Sequence, residues 1–206
     1  MKEDVINLEK AALSGDIPAI LELADMYRYG DGVKEDKEKA VELYRQGAGL
    51  NDPYSYWCLA DMYYYGEGVD KSIDNAIQLF QTAAELGQAE AWTALGAYFV
   101  EDSPGAPDYE KAIYYYKKAA DLNEPHAIHN IGVCLSNGEG LPKSDEMAFQ
   151  QFLNAANLGH TEAKFKVGWC FLHGIGMNQD KMQAINWLES AALDGHEEAQ
   201  ETLKKL

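Results

Sequence analysis

Two histidines one helical turn apart, His126 and His129, come nearest to a chemical site by type and spacing. Neutral imidazole is a common zinc ligand, and an i, i+3 pair places two rings on the same helix face. No His-Glu-x-x-His motif accompanies them, and the sequence fixes no third ligand. Because polar residues lining a groove give the same pattern, we assign no metal ligands.

Signatures of catalysis are missing from the sequence. Neither Ser-x-x-Lys nor Gly-x-Ser-x-Gly occurs, so two common signatures of a serine nucleophile are absent. Asp25 and Asp61 lie 36 residues apart, and stacked helices would separate them by about 10 Å. That exceeds most catalytic carboxylate spacings, although inverting glycosidases approach it. We expect no enzyme, no catalytic residues, no cofactor-binding residues and no cofactor.

The charge balance narrows the class of partner. The 206 residues include 34 acidic and 17 basic side chains, a net charge of −17. Nucleic acids and anionic membranes would repel such a chain, and no apolar run approaches the roughly 20 residues of a membrane span. A basic or apolar protein segment is the expected partner, unless the acidity only aids solubility.

Cysteine use and the first residues indicate a compartment. Cys58, Cys134 and Cys170 form no Cys-x-x-Cys motif and are too scattered for a disulfide framework, so we expect buried thiols in a reducing environment. Met1-Lys2-Glu3-Asp4 lacks the pattern of a secretory signal. Both features predict a cytoplasmic protein.

A strict internal period organises the chain. Six positions with a small residue are each 36 residues from the next: Ala19, Ser55, Ala91, Ala127, Ala163 and Ala199. Apolar residues follow at offsets of four, five and eight, which mark one face of a helix. A Gly-x-Gly turn then comes at four equivalent places: Gly30/Gly32, Gly66/Gly68, Gly138/Gly140 and Gly174/Gly176. Each period therefore begins with a first helix, and four of the five first helices end at a glycine turn.

A second helix follows each turn. Its predicted N-caps are Asp36, Ser72, Asp108, Ser144 and Asp180. Its predicted left-handed C′ residues are Asn51, Gly87, Asn123, Gly159 and Gly195. The same phase predicts twelve helices: a lone second helix, five pairs, and a terminal first helix near Glu197–Lys205.

The repeated string Ala-x-x-x-Leu-Gly/Ala-x-x-Tyr-x-x-Gly-x-Gly-Val, then Ala, then Ala-Ala-x-x-Gly, resembles the Sel1-like repeat, a relative of the tetratricopeptide repeat. The resemblance implies an all-α fold, a right-handed α/α superhelix (solenoid) of 36-residue helix–turn–helix repeats. We predict a single domain over 1–206, with a partial repeat 1–16, full repeats at about 17–52, 53–88, 89–124, 125–160 and 161–196, and a terminal helix 197–206.

The resemblance also implies a role as an adaptor, in which the first helices line a concave groove. Aromatic and polar residues that the core does not need predict peptide contacts there: Asp25, Arg28, Tyr29, Tyr54, Trp57, Asp61, Tyr64, Tyr65, His126, His129, Trp169 and His173. Some of these rings could instead pack between repeats, Trp57 and Trp169 in particular.

Other functions stay open at this point. The same aromatic residues could bind a carbohydrate-like small ligand, and an apolar end face could drive self-assembly, although we expect a monomer. A cysteine-rich branch of the resembled family is associated with penicillin binding and carries a bridge in each repeat, which this chain lacks. A β-lactamase-like hydrolase is therefore the last alternative.

Two local features complete the expectations. The third turn replaces Gly-x-Gly by Glu101-Asp102-Ser103-Pro104-Gly105-Ala106-Pro107; it is either a contact site or a tolerated alternative turn. His160 and His196 directly follow helix-ending glycines, and we expect both to face solvent.

Overall fold

The computed structural model describes residues 2–102 and 104–206; Met1, and Ser103 of the third turn, lie outside the described residues. The described part is all-α, with twelve helices and no strand, which confirms the predicted fold class. Contacts divide the chain into two compact units, unit 1 (Met1–Leu95) and unit 2 (Gly96–Leu206). The single domain over 1–206 stays a prediction. None of the described helices is long and apolar enough to cross a membrane.

Unit 1 begins with a lone second helix and continues with two full pairs. Its helices are α1 (Lys2–Leu13), α2 (Ile17–Tyr29), α3 (Lys37–Gly49), α4 (Pro53–Tyr65) and α5 (Ile73–Glu85). Its core contains Ala24, Ala40 and Tyr44 together with Cys58 and Met62. Small residues at the helix crossings allow close approach, and the larger side chains fill the space between layers.

Helix α6 (Ala89–Glu101) begins in unit 1 and ends in unit 2. The remaining helices of unit 2 are α7 (Tyr109–Ala120), α8 (Pro125–Asn137), α9 (Asp145–Asn157), α10 (Thr161–His173), α11 (Lys181–Leu193) and α12 (Glu197–Leu203). Phe165, Leu188 and Ala199 are buried together in the core between α10, α11 and α12.

The predicted N-caps of the second helices are confirmed. Asp36, Ser72, Asp108, Ser144 and Asp180 each accept a hydrogen bond from the backbone amide three residues on. Such a bond satisfies one of the free N–H groups in the first helical turn.

The predicted C′ residues are confirmed as well. Asn51, Gly87, Asn123, Gly159 and Gly195 all have positive φ, between 60° and 106°. Asparagine and glycine tolerate this left-handed conformation best, which explains why no other residue type occupies the position.

The glycine turns also meet a packing requirement. A Cβ atom on Gly68 would lie 2.5 Å from the carbonyl oxygen of Lys37 at the start of α3. The turn of one repeat therefore lies directly on the preceding second helix, and only glycine fits. The rewritten third turn keeps the closing bond of the others, since the amide of Asp108 donates to the carbonyl of Phe99 at 2.8 Å. This bond favours a tolerated alternative turn.

Candidate functional site

The first helices of unit 1, α2 and α4, carry eight of the predicted contact residues, which we call the first-helix surface of unit 1: Asp25, Arg28, Tyr29, Tyr54, Trp57, Asp61, Tyr64 and Tyr65. The corresponding helices of unit 2, α8 and α10, carry the other four, the first-helix surface of unit 2: His126, His129, Trp169 and His173.

Arg28 is the centre of an ion-pair network in unit 1. Its side chain is only 8% exposed, and its guanidinium donates a hydrogen bond to Asp61. It also donates two hydrogen bonds to Glu67, one from Nε at 3.1 Å and one from Nη2 at 2.9 Å. Lys37 donates to the other oxygen of Glu67 at 2.6 Å. The network joins α2, α4, the second glycine turn and the start of α3.

The ionisation of this network follows from its geometry. Burial alone would lower the pKa of the Arg28 guanidinium, but its bonds to Asp61 and Glu67 outweigh burial and raise the pKa. The bond from Lys37, together with Arg28, lowers the pKa of Glu67. Arg28, Lys37 and Glu67 are therefore charged at neutral pH.

The two aspartates predicted to meet a basic ligand residue are already engaged. Asp61 pairs with Arg28, and Asp25 accepts a hydrogen bond from the buried hydroxyl of Tyr44. Burial, the nearby Cys58 and the bond to Asp25 raise the pKa of Tyr44, which therefore stays a donor. Neither aspartate is an unsatisfied carboxylate waiting for a ligand.

The aromatic residues of unit 1 fall into two groups. Tyr54 and Trp57 are half-buried, with ring centroids 5.5 Å apart, and pack against the core. Tyr29 and Tyr65 end α2 and α4 at equivalent repeat positions and are 67% and 65% exposed. Tyr64 is half-buried as well, with its ring 5.0 Å from that of Tyr65.

In unit 2, three histidine rings meet where α8 and α10 begin. His160 Nε2 lies 3.0 Å from His126 Nδ1, and the His129 ring stacks on His160 at 4.6 Å. His129 Nε2 is buried without a hydrogen-bond partner. Burial lowers the pKa of His129, and the bond to Asn130 only partly offsets it.

The expectation that His160 and His196 face solvent is wrong. Each is the N-cap of the next first helix, where Nδ1 accepts the amide of Ala163 at 3.1 Å and of Ala199 at 3.2 Å. The His196 ring also stacks on Phe165 at 4.5 Å. The equivalent caps of α2 and α4 are Asp16 and Asp52. Because these four residues occupy the same repeat position, the sequence register could have identified the two histidines as caps.

These caps bear on metal binding. Because Nδ1 of His160 accepts a hydrogen bond, the neutral ring carries its proton on Nε2, which leaves no lone pair there for a metal. Within the described residues, no group of three or more His, Cys, Asp or Glu is arranged to hold a metal ion.

In the first-helix surface of unit 2, His126, Trp169 and His173 are exposed and His129 is half-buried. Trp169 is 37% exposed, and its ring lies 4.2 Å from that of His173 and 6.0 Å from that of Phe165. Trp169 is thus anchored on one side by the core and open on the other.

All three cysteines are buried and free. Burial raises the pKa of Cys58 to about 12, and that of Cys134 and of Cys170 to about 11. As thiols they are poor nucleophiles at neutral pH.

Comparison with known proteins identifies the repeat. A family model described as Sel1 repeat matches five consecutive segments, residues 17–52, 53–88, 89–124, 125–160 and 161–196. These are the same five periods that the spacing of small residues predicts. No curated protein sequence matches the chain.

Solved structures resemble the chain over most of its length. A Sel1 repeat protein from Oxalobacter formigenes is 29% identical with a TM-score of 0.89, and the match covers 99% of this chain and 60% of that one. The protein c5321 of uropathogenic Escherichia coli, described as a protective antigen with an SLR fold, is 28% identical with a TM-score of 0.79, covering 94% of this chain and 41% of that one. This chain spans less than two thirds of both.

Helicobacter pylori cysteine rich protein B is a more distant match. It is 26% identical with a TM-score of 0.53, and the match covers 64% of this chain and 95% of that one. The three cysteines of the present chain form no disulfide.

Proposed function

Because the chain belongs to the Sel1 repeat family, whose repeats commonly mediate protein–protein interaction and generally serve as non-catalytic scaffolds, we propose that it binds an extended segment of a protein partner. The first-helix surface of unit 1 makes the main contacts. On unit 2, taken by itself, Trp169 and His173 are the proposed contacts.

The exposure of Tyr29 and Tyr65 carries this proposal. Two tyrosines 36 residues apart are each about two-thirds exposed, although the core of unit 1 is complete without them. Tyrosine offers a large contact area at a low entropic cost and is enriched among the residues that dominate interfaces. Their equivalent positions suit a segment that contacts one ring per repeat.

The Arg28 ion-pair network lies beneath the first-helix surface of unit 1 and fixes the helices that carry it. It ties α2 to α4 through Asp61 and Glu67, and the guanidinium lies 5.4 Å from the ring of Tyr29. Rings presented by a rigid backbone lose little freedom on binding, which favours affinity.

The chemistry of the partner follows from charge. Residues 1–95 contain 18 acidic and eight basic side chains, so unit 1 attracts a basic segment through its overall field. Since Asp25 and Asp61 already have partners, the contacts themselves fall to the tyrosines. The proposed ligand is an extended, basic segment with apolar or aromatic side chains.

Selection of displayed random peptides on the whole chain tests this function. Selected peptides should be basic and should bind Tyr29→Ala and Tyr65→Ala each about tenfold to thirtyfold more weakly, as expected of hot-spot residues. Tyr114→Ala is the matched control, because Tyr114 is 55% exposed on a second helix.

If all three variants bind the selected peptides with equal affinity, the first-helix surface of unit 1 is not the binding site. Failure to select any peptide, together with quenching of tryptophan fluorescence by sugars, would favour the small-ligand alternative.

A further inference from the structure

Two consecutive first helices of unit 2, α10 and α12, begin with an unusual cap. Aspartate caps α2 and α4, whereas His160 and His196 take that place in α10 and α12. In both histidines Nδ1 accepts the backbone amide three residues on. A neutral imidazole has one N–H, so both rings must carry it on Nε2.

The two Nε2–H groups meet different partners at equivalent repeat positions. His160 donates to His126 Nδ1 at 3.0 Å, whereas His196 donates to Glu162 Oε2 at 2.7 Å. Residues 126 and 162 are 36 apart. One cap therefore has an imidazole as its neighbour, and the other has a carboxylate.

Protonation would destroy a histidine cap. An imidazolium carries N–H on both nitrogens, so Nδ1 could no longer accept the amide of Ala163 or Ala199. A positive charge would also lie at a helix N-terminus, where the helix dipole disfavours it. At His196 an ion pair with Glu162 would offset the energetic cost of protonation, although the cap itself would be lost, whereas Nε2 of His160 has an imidazole as its neighbour and no such carboxylate.

The surroundings of His160 oppose its charged form. His126 and His129 face it from α8. On α10, Glu162 favours the charged form of His160, and Lys166 lies near His129. Burial, followed by His129 and His126, lowers the pKa of His160 to about 4, against the opposing effect of Glu162. A cleft of about 450 Å³, lined by His126, Gly159 and His160 among others, gives protons access to the ring.

We propose that His160 is an acid-sensitive cap, whose protonation opens the first turn of α10. The histidine is neutral in the folded state, and its ordinary pKa is 6.5. The capped state is therefore fully favoured above that pH. It is lost progressively as the pH falls from 6.5 towards the lowered value.

The position of α10 gives this device a possible use. Trp169 and His173 lie on the same helix, so opening of its first turn would alter one of the proposed contact surfaces. That effect on partner binding rests on the proposed function, whereas the opening of the cap does not. The test therefore reads the cap itself.

Amide hydrogen exchange measured by NMR on the whole chain provides the test. Between about pH 7.5 and about pH 5, the protection factor of the Ala163 amide should fall at least about tenfold. The Ala19 and Ser55 amides, capped by Asp16 and Asp52, should lose no protection.

His160→Asp is the matched variant, because it copies the caps of α2 and α4. In this variant the Ala163 amide should stay protected at both pH values. The ¹⁵N shifts of wild-type His160 at about pH 7.5 should show the Nε2–H form. The proposal is overturned by an Nδ1–H form, by pH-independent protection of Ala163, or by an equal loss of protection in His160→Asp.

Discussion

The first helices of the two units are held in place by different chemistry. In unit 1, α2 and α4 are joined by charged groups, with the buried Arg28 between Asp61 and Glu67. In unit 2, α8 and α10 meet through imidazoles, with His160 between His126 and His129, and burial keeps His129 and His160 neutral by lowering their pKa. The same repeat therefore stabilises a helix pair by keeping groups ionised in one case and neutral in the other.

This difference shows what a repeat specifies and what it leaves free. The crossings, the N-caps of the second helices and the C′ residues are common to both units because every helix pair needs them. The polar groups between successive first helices vary, and their chemistry sets the conditions under which each unit is stable. Three sets of substitutions test this comparison.

Removing Arg28 should have the largest effect. Arg28→Met keeps the apolar stem but leaves Asp61 and Glu67, which are 24% and 27% exposed, without their shared cation. Breaking a buried ion pair from one side costs about 3–5 kcal/mol, and partial solvation of the two acids reduces this to about 2–4 kcal/mol. Urea denaturation measures the loss.

The cysteines can show in which unit the loss occurs. Labelling of Cys58 by a disulfide reagent should accelerate in Arg28→Met, while labelling of Cys134 and Cys170 should not, because buried thiols react only when the structure opens around them. Lys37→Met is the control: its ammonium reaches the same Glu67 from a more exposed position, and its loss should be much smaller. Equal losses would show that Arg28 is not the centre of the network.

The sequence predicted what depends on neighbours within a few residues. The N-cap Asp36 and the C′ residue Gly87 are each specified by the helix they adjoin, so residue type and phase suffice to find them. Arg28 was predicted to face a ligand, but its partners come from the next repeat, 33 and 39 residues away. The cap at His160 escaped prediction for a similar reason, because its acceptor role depends on a tautomer that His126 helps to set.

The shared turns should respond alike in the two units. Gly87 in unit 1 and Gly159 in unit 2 have φ of 106° and 95°, and a Cβ atom at either would meet nothing within 4 Å. The cost of Gly87→Val or Gly159→Val is therefore backbone strain alone, at least about 1 kcal/mol each. Thermal or urea denaturation should give similar losses for both.

Gly49→Val is the matched control for this pair. Gly49 also has open space around it, but it lies within α3 and lacks a positive φ. The same substitution should cost little or nothing there. A loss at Gly49 as large as at Gly87 would point to the added side chain as the cause and would contradict the left-handed assignment.

The smallest effect is expected from His129→Phe, and it depends on pH. Phenylalanine can keep the packing of His129 against Phe152 and His160, whose rings lie 5.5 and 4.6 Å away, and it removes the unpaired buried Nε2. Burial keeps His129 neutral in the folded state by lowering its pKa, so the unfolded chain takes up protons first as the pH falls below 6.5. Wild type loses stability in that range, whereas the variant is spared this loss.

The free energy of unfolding of His129→Phe, relative to wild type, should therefore rise by about 1 kcal/mol between about pH 7.5 and about pH 5. Between about pH 7.5 and about pH 8.5 it should stay constant, because the imidazole is neutral in both states. Tyr54→Phe in unit 1 is the control, since burial raises the pKa of that tyrosine further above this range. If both variants show the same change on acidification, the contrast between an ionised and a neutral helix contact fails, because the acid response then belongs to the whole chain and not to the histidines of unit 2.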